Sequence, residues 1–159
     1  MNSSSASVRL CVHTTSCIRR TLNVTSEPHK QPRIAIVMPA YNAEKTLEDT
    51  LRDIPEGSYT DLILGDDCSR DGTVELAKKL GIDVLVTPQN RGYGGNQKML
   101  YEEALRREAD IVVMLHPDNQ YDARLIPYFT GFLEKNVCDV ILGNRVQSRK
   151  ACIAGGMPV

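Results

Sequence analysis

The chain has 159 residues, a formal net charge of −1 at pH 7, 5% aromatic residues and no tryptophan. This length predicts one domain, or most of one, with a sizeable core. The near-neutral charge gives no general attraction to nucleic acid or to an anionic membrane, and the few aromatic residues disfavour a stacking platform for single strands, so we expect no nucleic-acid partner.

The five cysteines are scattered along the chain and include no C-x-x-C pair. This usage supports neither a zinc site nor a disulfide framework and favours a reducing, cytoplasmic location. The longest apolar runs, such as residues 111–115, are far too short to span a bilayer. We therefore expect no transmembrane segment in this chain, and peripheral contact with the cytosolic face of a membrane is left open.

Residues 1–32 are rich in Ser and Thr, lack apolar periodicity and contain one acidic residue, Glu27. A segment with Arg and Ser and few acidic residues is typical of a transit peptide. The segment has no continuous apolar stretch of the kind found in secretory signals, so a secretory signal is disfavoured. We interpret residues 1–32 as a disordered or spurious extension and place the folded domain at residues 33–145.

From Arg33 onward, buried apolar runs alternate with amphipathic helical patterns. The runs predict strands at 34–38, 61–65, 82–86, 111–115 and 137–142, and the helical periodicity predicts helices at 43–53, 74–80, 96–107 and 123–135. This alternation indicates an α/β fold, with a mostly parallel sheet and helices on both faces. Because the Gly-rich tail, residues 146–159, has no closing helix, we expect the domain to be incomplete at its C-terminal end.

Two of the predicted helices have defined apolar faces. In the helix at 43–53 these are Leu47, Leu51 and Ile54. In the helix at 96–107 the residues expected to face inward are Met99, Leu100, Ala104 and Leu105.

Polar clusters follow the first four predicted strands, and in a parallel sheet all of them fall on one edge. After the second strand, Asp66 and Asp67 are followed by Asp71, Gly72 and Thr73, which we interpret as a turn and a cap for the next helix. Asp67 comes too early to cap that helix. We therefore expect it to have another partner, such as a base N–H or a ribose hydroxyl.

The third cluster, N-R-G-Y-G-G at 90–95, places glycines just before a helix. Glycines let backbone N–H groups approach an anion, and a helix N-terminus favours phosphate. The cluster is neither G-x-G-x-x-G nor a P-loop, so a plain glycine-rich turn fits it equally well.

The fourth cluster contains His116, Asp118 and Gln120 at a spacing of two, which places them on one face of an extended segment. Asp118 offers a hard oxygen ligand suited to Mg²⁺ or Mn²⁺. Two structural alternatives exist: Asp118 and Asn119 could cap the helix near Ala123, and His116 could make only a structural hydrogen bond. Asp67 on the same edge favours the ligand interpretation for Asp118.

Four motifs occur in order: I-A-I-V-M-P-A-Y-N at 34–42, D-D-C-S-R-D-G-T at 66–73, N-R-G at 90–92 and H-P-D-N-Q at 116–120. Together they resemble family 2 glycosyltransferases, and the closest group resembles the dolichyl- or polyprenyl-phosphate sugar synthases related to dolichol-phosphate mannosyltransferase. The resemblance covers residues 33–145. It implies a Rossmann-like sheet of the GT-A type that binds a nucleoside diphosphate sugar.

The resemblance also implies roles for individual residues. In the family an acid-x-acid motif, often followed by Gln, holds a divalent metal on the diphosphate. Asp118 matches the second acid and Gln120 the Gln, but His116 replaces the first acid. Imidazole suits Mn²⁺ better than Mg²⁺, so His116 either shifts the metal preference, leaves Asp118 as the main ligand, or contacts the donor phosphate. The implied nucleotide-binding residues are Pro39, Ala40, Tyr41, Glu44 (one position later than in many relatives), Asp67, Asn90, Gly92, Pro117 and Asp118.

The implied reaction is inverting transfer of a sugar from a UDP- or GDP-linked donor to an acceptor, which in the closest group is a polyprenyl or dolichyl phosphate. A phosphate monoester has a second pKa of about 6, so the acceptor is largely ionised at neutral pH and needs a strong base less. Because the acceptor side follows the fifth strand, residues 146–159 would be only its start, and any general base would lie beyond the chain end.

Three alternatives to a working transferase are considered. A truncated paralogue would bind the nucleotide without turnover. A nucleotidyltransferase would carry a Gly-rich basic loop after the first strand, where this chain has P-A-Y-N. A signalling receiver would have its acid pair after the first strand, not the second, and is disfavoured for that reason.

Overall fold

The computed structural model describes residues 31–144. In this range four parallel strands form one sheet in the order β3-β2-β1-β4. The strands are β1 (Ile34–Ala40), β2 (Asp61–Asp66), β3 (Asp83–Val86) and β4 (Ile111–Met114). The helices are α1 (Leu47–Arg52), α2 (Thr73–Lys79), α3 (Gly92–Arg106) and α4 (Ile126–Glu134), the last preceded by a 3-10 turn, Ala123–Leu125.

The central strand is β1, and all seven of its residues are buried. It pairs with β2 on one side and β4 on the other, so that Ile36 lies opposite both Leu62 and Val113. The chain moves outward from β1 to β3 and then crosses back to place β4 on the far side of β1. In open α/β sheets such a reversal of strand order creates a ligand crevice at the carboxyl ends of the strands.

Helices cover both faces of this sheet, as the alternating pattern predicts. One face buries Ile36 and Met38 of β1 against Leu47 of α1 and Ala77 of α2, together with Ile126 of α4. On the other face, the intervening β1 residues and Ile63 of β2 pack against Leu100 and Ala104 of α3. The α/β prediction is confirmed.

The inward faces of the helices agree with the sequence in part. Leu51 and Ile54 pack on the core beside the buried Leu47, as expected. Helix α3 begins at Gly92, four residues before the predicted start. The inward prediction for Leu105 is wrong, because this side chain is 69% exposed while the preceding Ala104 is fully buried. Successive helical residues lie about 100° apart, so Leu105 points away from the face that buries Ala104. One turn before Leu100, the buried residue on this face is Asn96.

The predicted fifth strand is wrong. Residues 137–142 form no strand, and Val137, Val140 and Leu142 are 66%, 73% and 89% exposed. Within the described range β4 pairs only with β1, and residues 137–142 do not occupy its free edge as a paired strand. An apolar run supplies the side chains of a buried strand. A strand also requires its backbone N–H and C=O groups to pair with those of a neighbouring strand.

An ionic network joins the amino ends of the strands to the end of α3. The Arg107 guanidinium contacts Asp83, Asp61 at 3.4 Å and Glu103 at 2.8 Å. Hydrogen bonds from Arg106 and Arg107 lower the pKa of Glu103 to about 2. Hydrogen bonding to Asp83 is the largest effect raising the pKa of Arg107. This network fixes α3 at the edge opposite the polar clusters.

The interpretations of residues 1–30 and 145–159 lie outside the described residues. Within 31–144, no helix is long and apolar enough to cross a bilayer.

Candidate functional site

The loops after β1 and β2 are joined by backbone-to-side-chain hydrogen bonds. The Asn42 N–H donates to Ser69 Oγ at 2.8 Å, and Asn42 Oδ1 accepts from the Arg70 N–H at 2.8 Å. The Ala43 N–H donates to Thr73 Oγ1 at 2.8 Å. Asn42 has a φ of +53°, a left-handed conformation that Asn tolerates better than most residues. These bonds fix the two loops as one unit at the carboxyl edge.

Glu44 belongs to this unit through the N-terminus of α2. Its Oε2 accepts from the Gly72 N–H at 3.0 Å, and its own N–H donates to Asp71 Oδ2 at 3.2 Å. A Cβ on Gly72 would lie 2.6 Å from Glu44 Oε1, so a larger residue there would displace the Glu44 carboxylate. Asp71 supports the first turn of α2, as predicted, by accepting from the Thr73 N–H at 3.1 Å. Burial acts to raise the pKa of Asp71. Hydrogen bonds from Thr73 and the Glu44 backbone outweigh this effect and hold that pKa below its usual value.

Asp67 connects three of the loops. It is 3% exposed, and its Oδ1 accepts from the Arg91 N–H at 2.7 Å and from Thr87 Oγ1 at 3.1 Å. Its N–H donates to the Ala40 carbonyl at 3.0 Å. Arg91 is the N-cap residue of α3, so the carboxylate supports the start of that helix. The ligand role of Asp67 stays a prediction. Because Oδ1 already accepts two hydrogen bonds, the second oxygen, Oδ2, would have to contact the ligand.

Asp66 is a site residue to which the sequence assigned no role. It is 1% exposed, and its Oδ2 accepts from the Ser69 N–H at 3.1 Å. Its Oδ1 is buried and has no hydrogen-bond partner among the described residues. A buried acceptor without a donor is costly, on the order of 1–3 kcal/mol. In the sequence, its position beside Asp67 at the end of a buried strand was the feature that could have identified Asp66 as a site residue.

The glycine cluster lies in the first turn of α3 instead of a loop before it. Gly92 has a φ of +72°, and its N–H donates to Asn90 Oδ1 at 3.0 Å. Asn90 also donates through Nδ2 to the Asp67 carbonyl at 3.1 Å. The next N–H groups of a first turn have no intrahelical partner, so the N-terminus of this 15-residue helix presents donors at the carboxyl edge.

The segment after β4 forms an exposed turn. The Thr46 hydroxyl donates to the buried Pro117 carbonyl and so anchors this segment on the loop after β1. Asp118 is exposed, and its Oδ1 accepts from the Gln120 N–H at 3.1 Å. The structural alternative, in which Asp118 caps the next helix, does not hold, because Asp122 is the cap and accepts from the Arg124 N–H at 3.1 Å.

The Asp118 carboxylate suits a divalent cation that takes its other ligands from substrate phosphates and water, as Mg²⁺ usually does. None of the described Lys or Arg side chains pairs with Asp118, so its negative charge is not neutralised by one of them. Among the described residues, no group of three or more His, Cys, Asp or Glu side chains is placed to hold a metal. Gln120 is exposed beside Asp118.

His116 makes the structural hydrogen bond that the sequence left open. Its Nε2 lies 3.0 Å from the Tyr93 hydroxyl, and its ring contacts those of Tyr93 and Tyr121, at centroid distances of 5.3 and 5.7 Å. Nε2 therefore faces α3. Tyr93 is a second residue that the sequence did not identify as part of the site.

The carboxyl edge thus brings together loops from all four strands. Pro39 and Ala40 are buried at the end of β1, and Tyr41, the next residue, is 52% exposed at the edge. Asp67 connects Ala40 to the start of α3, and Thr46 connects the first loop to Pro117. The four clusters predicted to converge do lie on one edge and are hydrogen-bonded to each other.

The comparisons with known sequences agree on one family. A family model described as glycosyl transferase family 2 matches residues 35–152. RfbJ of Shigella flexneri is 28% identical over 116 residues, which cover 72% of this chain and 87% of RfbJ. A UDP-N-acetylglucosamine–dolichyl-phosphate N-acetylglucosaminyltransferase of Methanococcus voltae is 24% identical over 134 residues, covering 74% of this chain and 53% of that enzyme.

Solved structures show the same fold. Glucosyl-3-phosphoglycerate synthase of Mycobacterium tuberculosis, in complex with Mn²⁺, UDP and glucosyl-3-phosphoglycerate, matches with a TM-score of 0.53 and 27% identity, over 64% of this chain and 39% of that one. S. aureus TarS 1-349 in complex with UDP matches with a TM-score of 0.55 and 20% identity, over 66% of this chain and 33% of that one. The chain spans about half the length of several curated relatives. These matches confirm the GT-A type fold.

Proposed function

The chain belongs to glycosyl transferase family 2, and we propose that it binds a UDP- or GDP-linked sugar at the carboxyl edge of its sheet, for transfer to an acceptor. The observation that carries the proposal is the joining of loops from all four strands at one edge, where the strand order reverses between β1 and β4. Open α/β sheets bind ligands at such a point. The structural relative from M. tuberculosis was crystallised with UDP and Mn²⁺.

In this proposal the nucleoside lies against the ends of β1 and β2. Pro39 and Ala40 form the floor, and the exposed Tyr41 offers its ring at the rim. Asp67 Oδ2 accepts from the base or the ribose while Oδ1 stays bound to the start of α3. Glu44 acts by holding the first two loops together.

The diphosphate lies between the N-terminus of α3 and the turn after β4. The helix N-terminus favours a negative charge through its unpaired N–H groups and its dipole. Asn90 and Gly92 shape that terminus, and Pro117 positions the turn that carries Asp118. Asp118 would hold the divalent cation, with Gln120 beside it. When bound, the cation supplies positive charge that stabilises the departing nucleoside diphosphate.

A dolichyl or polyprenyl phosphate is the acceptor we favour. The relative from M. voltae is named for transfer to dolichyl phosphate. The acceptor phosphate oxygen would form a bond to the anomeric carbon as the bond from that carbon to the diphosphate breaks, which inverts the configuration. An ionised phosphate needs no proton removed, so this chain's described residues need to supply donor positioning and not a base. Such an acceptor would bring the protein to a membrane face.

Thermal-shift titration tests the donor site. Full-length protein is titrated with UDP, GDP and their sugars, with and without Mn²⁺. A ligand at 100 times its Kd stabilises by about 2.7 kcal/mol, which a melting curve resolves easily. Asp118→Ala should remove the Mn²⁺-dependent part, whereas Asp122→Ala, which removes a nearby carboxylate paired with Arg124, should leave it. Stabilisation by none of these ligands would refute the donor site.

Turnover separates a transferase from the alternative of a nucleotide-sugar binder without activity. The protein is incubated with a labelled nucleotide sugar and a polyprenyl phosphate, and labelled lipid is extracted. Donor binding without labelled lipid, for each sugar that binds, would favour the inactive binder.

A further inference from the structure

A chain of hydrogen bonds runs from α3 to His116. Gln97 Nε2 lies 3.1 Å from the Tyr93 hydroxyl and 2.8 Å from Met114 Sδ. The Tyr93 hydroxyl lies 3.0 Å from His116 Nε2. Tyr93 and Gln97 are one turn apart on α3, so the helix presents both groups to the segment after β4.

The chemistry of the partners favours one direction for each of these bonds. A thioether sulfur has no hydrogen to donate and accepts weakly, so the amide group facing Met114 is the Gln97 NH₂, which has two N–H donors. One N–H points to the sulfur and the other to the Tyr93 oxygen. The Tyr93 O–H has two acceptors within reach, Met114 Sδ at 3.5 Å and His116 Nε2 at 3.0 Å, and the imidazole nitrogen is the closer and the stronger of the two.

A neutral imidazole that accepts at Nε2 carries its proton on Nδ1. In this tautomer neither ring nitrogen has a lone pair for a metal, because Nε2 is engaged by Tyr93 and Nδ1 is protonated. A metal needs an unprotonated nitrogen. The ring also packs against those of Tyr93 and Tyr121. Nδ1–H has no hydrogen-bond partner among the described residues and is available to an incoming acceptor.

We propose that His116 donates a hydrogen bond from Nδ1 to the diphosphate of the donor and is not a metal ligand, with Tyr93 and Gln97 as the positioning residues that set its tautomer. The inference rests on the proposed function, because it assigns a contact within the same site. A neutral donor repels the diphosphate less than a carboxylate at this position would, so binding depends less on the cation to offset negative charge on the protein.

The tautomer is measured by NMR on the protein without nucleotide. Long-range ¹H–¹⁵N spectra are recorded in alkaline buffer, where imidazoles are neutral, and the His116 signal among three histidines is assigned by its loss in His116→Asn. We expect the Nδ1–H form. Tyr93→Phe should populate the Nε2–H form, whereas Tyr101→Phe, whose hydroxyl lies 3.9 Å from Met114 Sδ, should not. A wild-type protein in the Nε2–H form would overturn the inference.

Two substitutions then distinguish phosphate from metal. The amide nitrogen of Asn stands where Nδ1 stands in His, and that of Gln where Nε2 stands. UDP affinity, or GDP affinity if the wild type prefers it, is measured calorimetrically in EDTA and in saturating Mn²⁺. His116→Gln should weaken binding by roughly tenfold in both conditions, and His116→Asn should retain most of the affinity.

The remaining outcomes are decisive in different ways. A loss with His116→Gln that is confined to Mn²⁺ would make His116 a metal ligand and overturn the inference. If the nucleotide affinity of His116→Gln equals that of the wild type, the phosphate contact is overturned while the proposed function stays intact. Failure of the wild type to bind either nucleotide would overturn both.

Discussion

Gly65 on β2 and Asn96 on α3 are coupled by contact, and the coupling can be measured. Asn96 is 2% exposed, and its Nδ2 donates to the Gly65 carbonyl at 2.7 Å. A Cβ on Gly65 would lie 2.2 Å from Asn96 Oδ1 and 3.0 Å from Leu100 Cγ. Gly65→Ala therefore forces Asn96 to turn away and presses on a fully buried leucine.

The magnitude follows from these two effects. Losing a hydrogen bond to a buried carbonyl costs about 1–3 kcal/mol, and overpacking against Leu100 costs roughly another 1–3 kcal/mol. We expect Gly65→Ala to lower the free energy of unfolding by the sum of the two effects, about 2–6 kcal/mol. Asn96→Ala should cost about 1–3 kcal/mol, since it loses the same bond. In the double variant that bond is lost only once, so the combined cost should be about 1–3 kcal/mol below the sum.

Urea unfolding followed by far-UV circular dichroism measures all three variants. Gly131→Ala is the matched control. It lies inside α4 with nothing within 4 Å of its Cβ, so it should be neutral or stabilise by up to about 1 kcal/mol. Additive costs for Gly65→Ala and Asn96→Ala, or a Gly65→Ala protein as stable as the wild type, would refute the packing argument.

Four further substitutions test other parts of the structure. Because the pKa of Glu103 is lowered from 4.5 to about 2, its ion pairs stabilise the fold above pH 4.5, and this is lost as the pH falls toward 2. Glu103→Gln should cost about 1–3 kcal/mol at pH 7 and flatten the acid dependence in urea titrations, and an unchanged dependence would argue against the network. Asp67→Ala should destabilise by about 2–4 kcal/mol and speed hydrogen exchange of the Arg91 amide; unchanged exchange there would mean that Asp67 does not hold α3. Leu100→Ala should cost about 2–5 kcal/mol and Leu105→Ala under 1 kcal/mol by the same unfolding assay, and similar costs would mean that the helix face is misassigned.

The sequence predicted the layers of the fold because they depend on local patterns. Apolar runs and helical periodicity reflect burial at each position, and short connections between them leave few topologies. The convergence of the polar clusters at one edge followed from the parallel arrangement alone. The same reasoning assigned the fifth strand wrongly, because the pattern at 137–142 describes side chains and does not show whether the backbone pairs with a neighbouring strand.

Contacts between distant residues could not be predicted in this way. The partner of Asp67 Oδ1, the Arg91 N–H, lies 24 residues further along the chain. Burial of the polar Asn96 depends on the close approach of α3 to Gly65, which allows the amide to bond the strand carbonyl. The choice of Asp122 over Asp118 as the cap depends on where the turn after β4 ends.

The central claim is that this edge of the sheet binds a nucleoside diphosphate through a cation held by Asp118. Equilibrium binding of UDP and GDP, with and without Mn²⁺, to the wild type and to Asp118→Ala tests it most directly. We expect one nucleotide to bind the wild type more tightly with Mn²⁺, and the Asp118→Ala protein to bind it equally with and without the metal. Absence of nucleotide binding, or an Asp118→Ala protein that keeps the full gain from Mn²⁺, would contradict the claim.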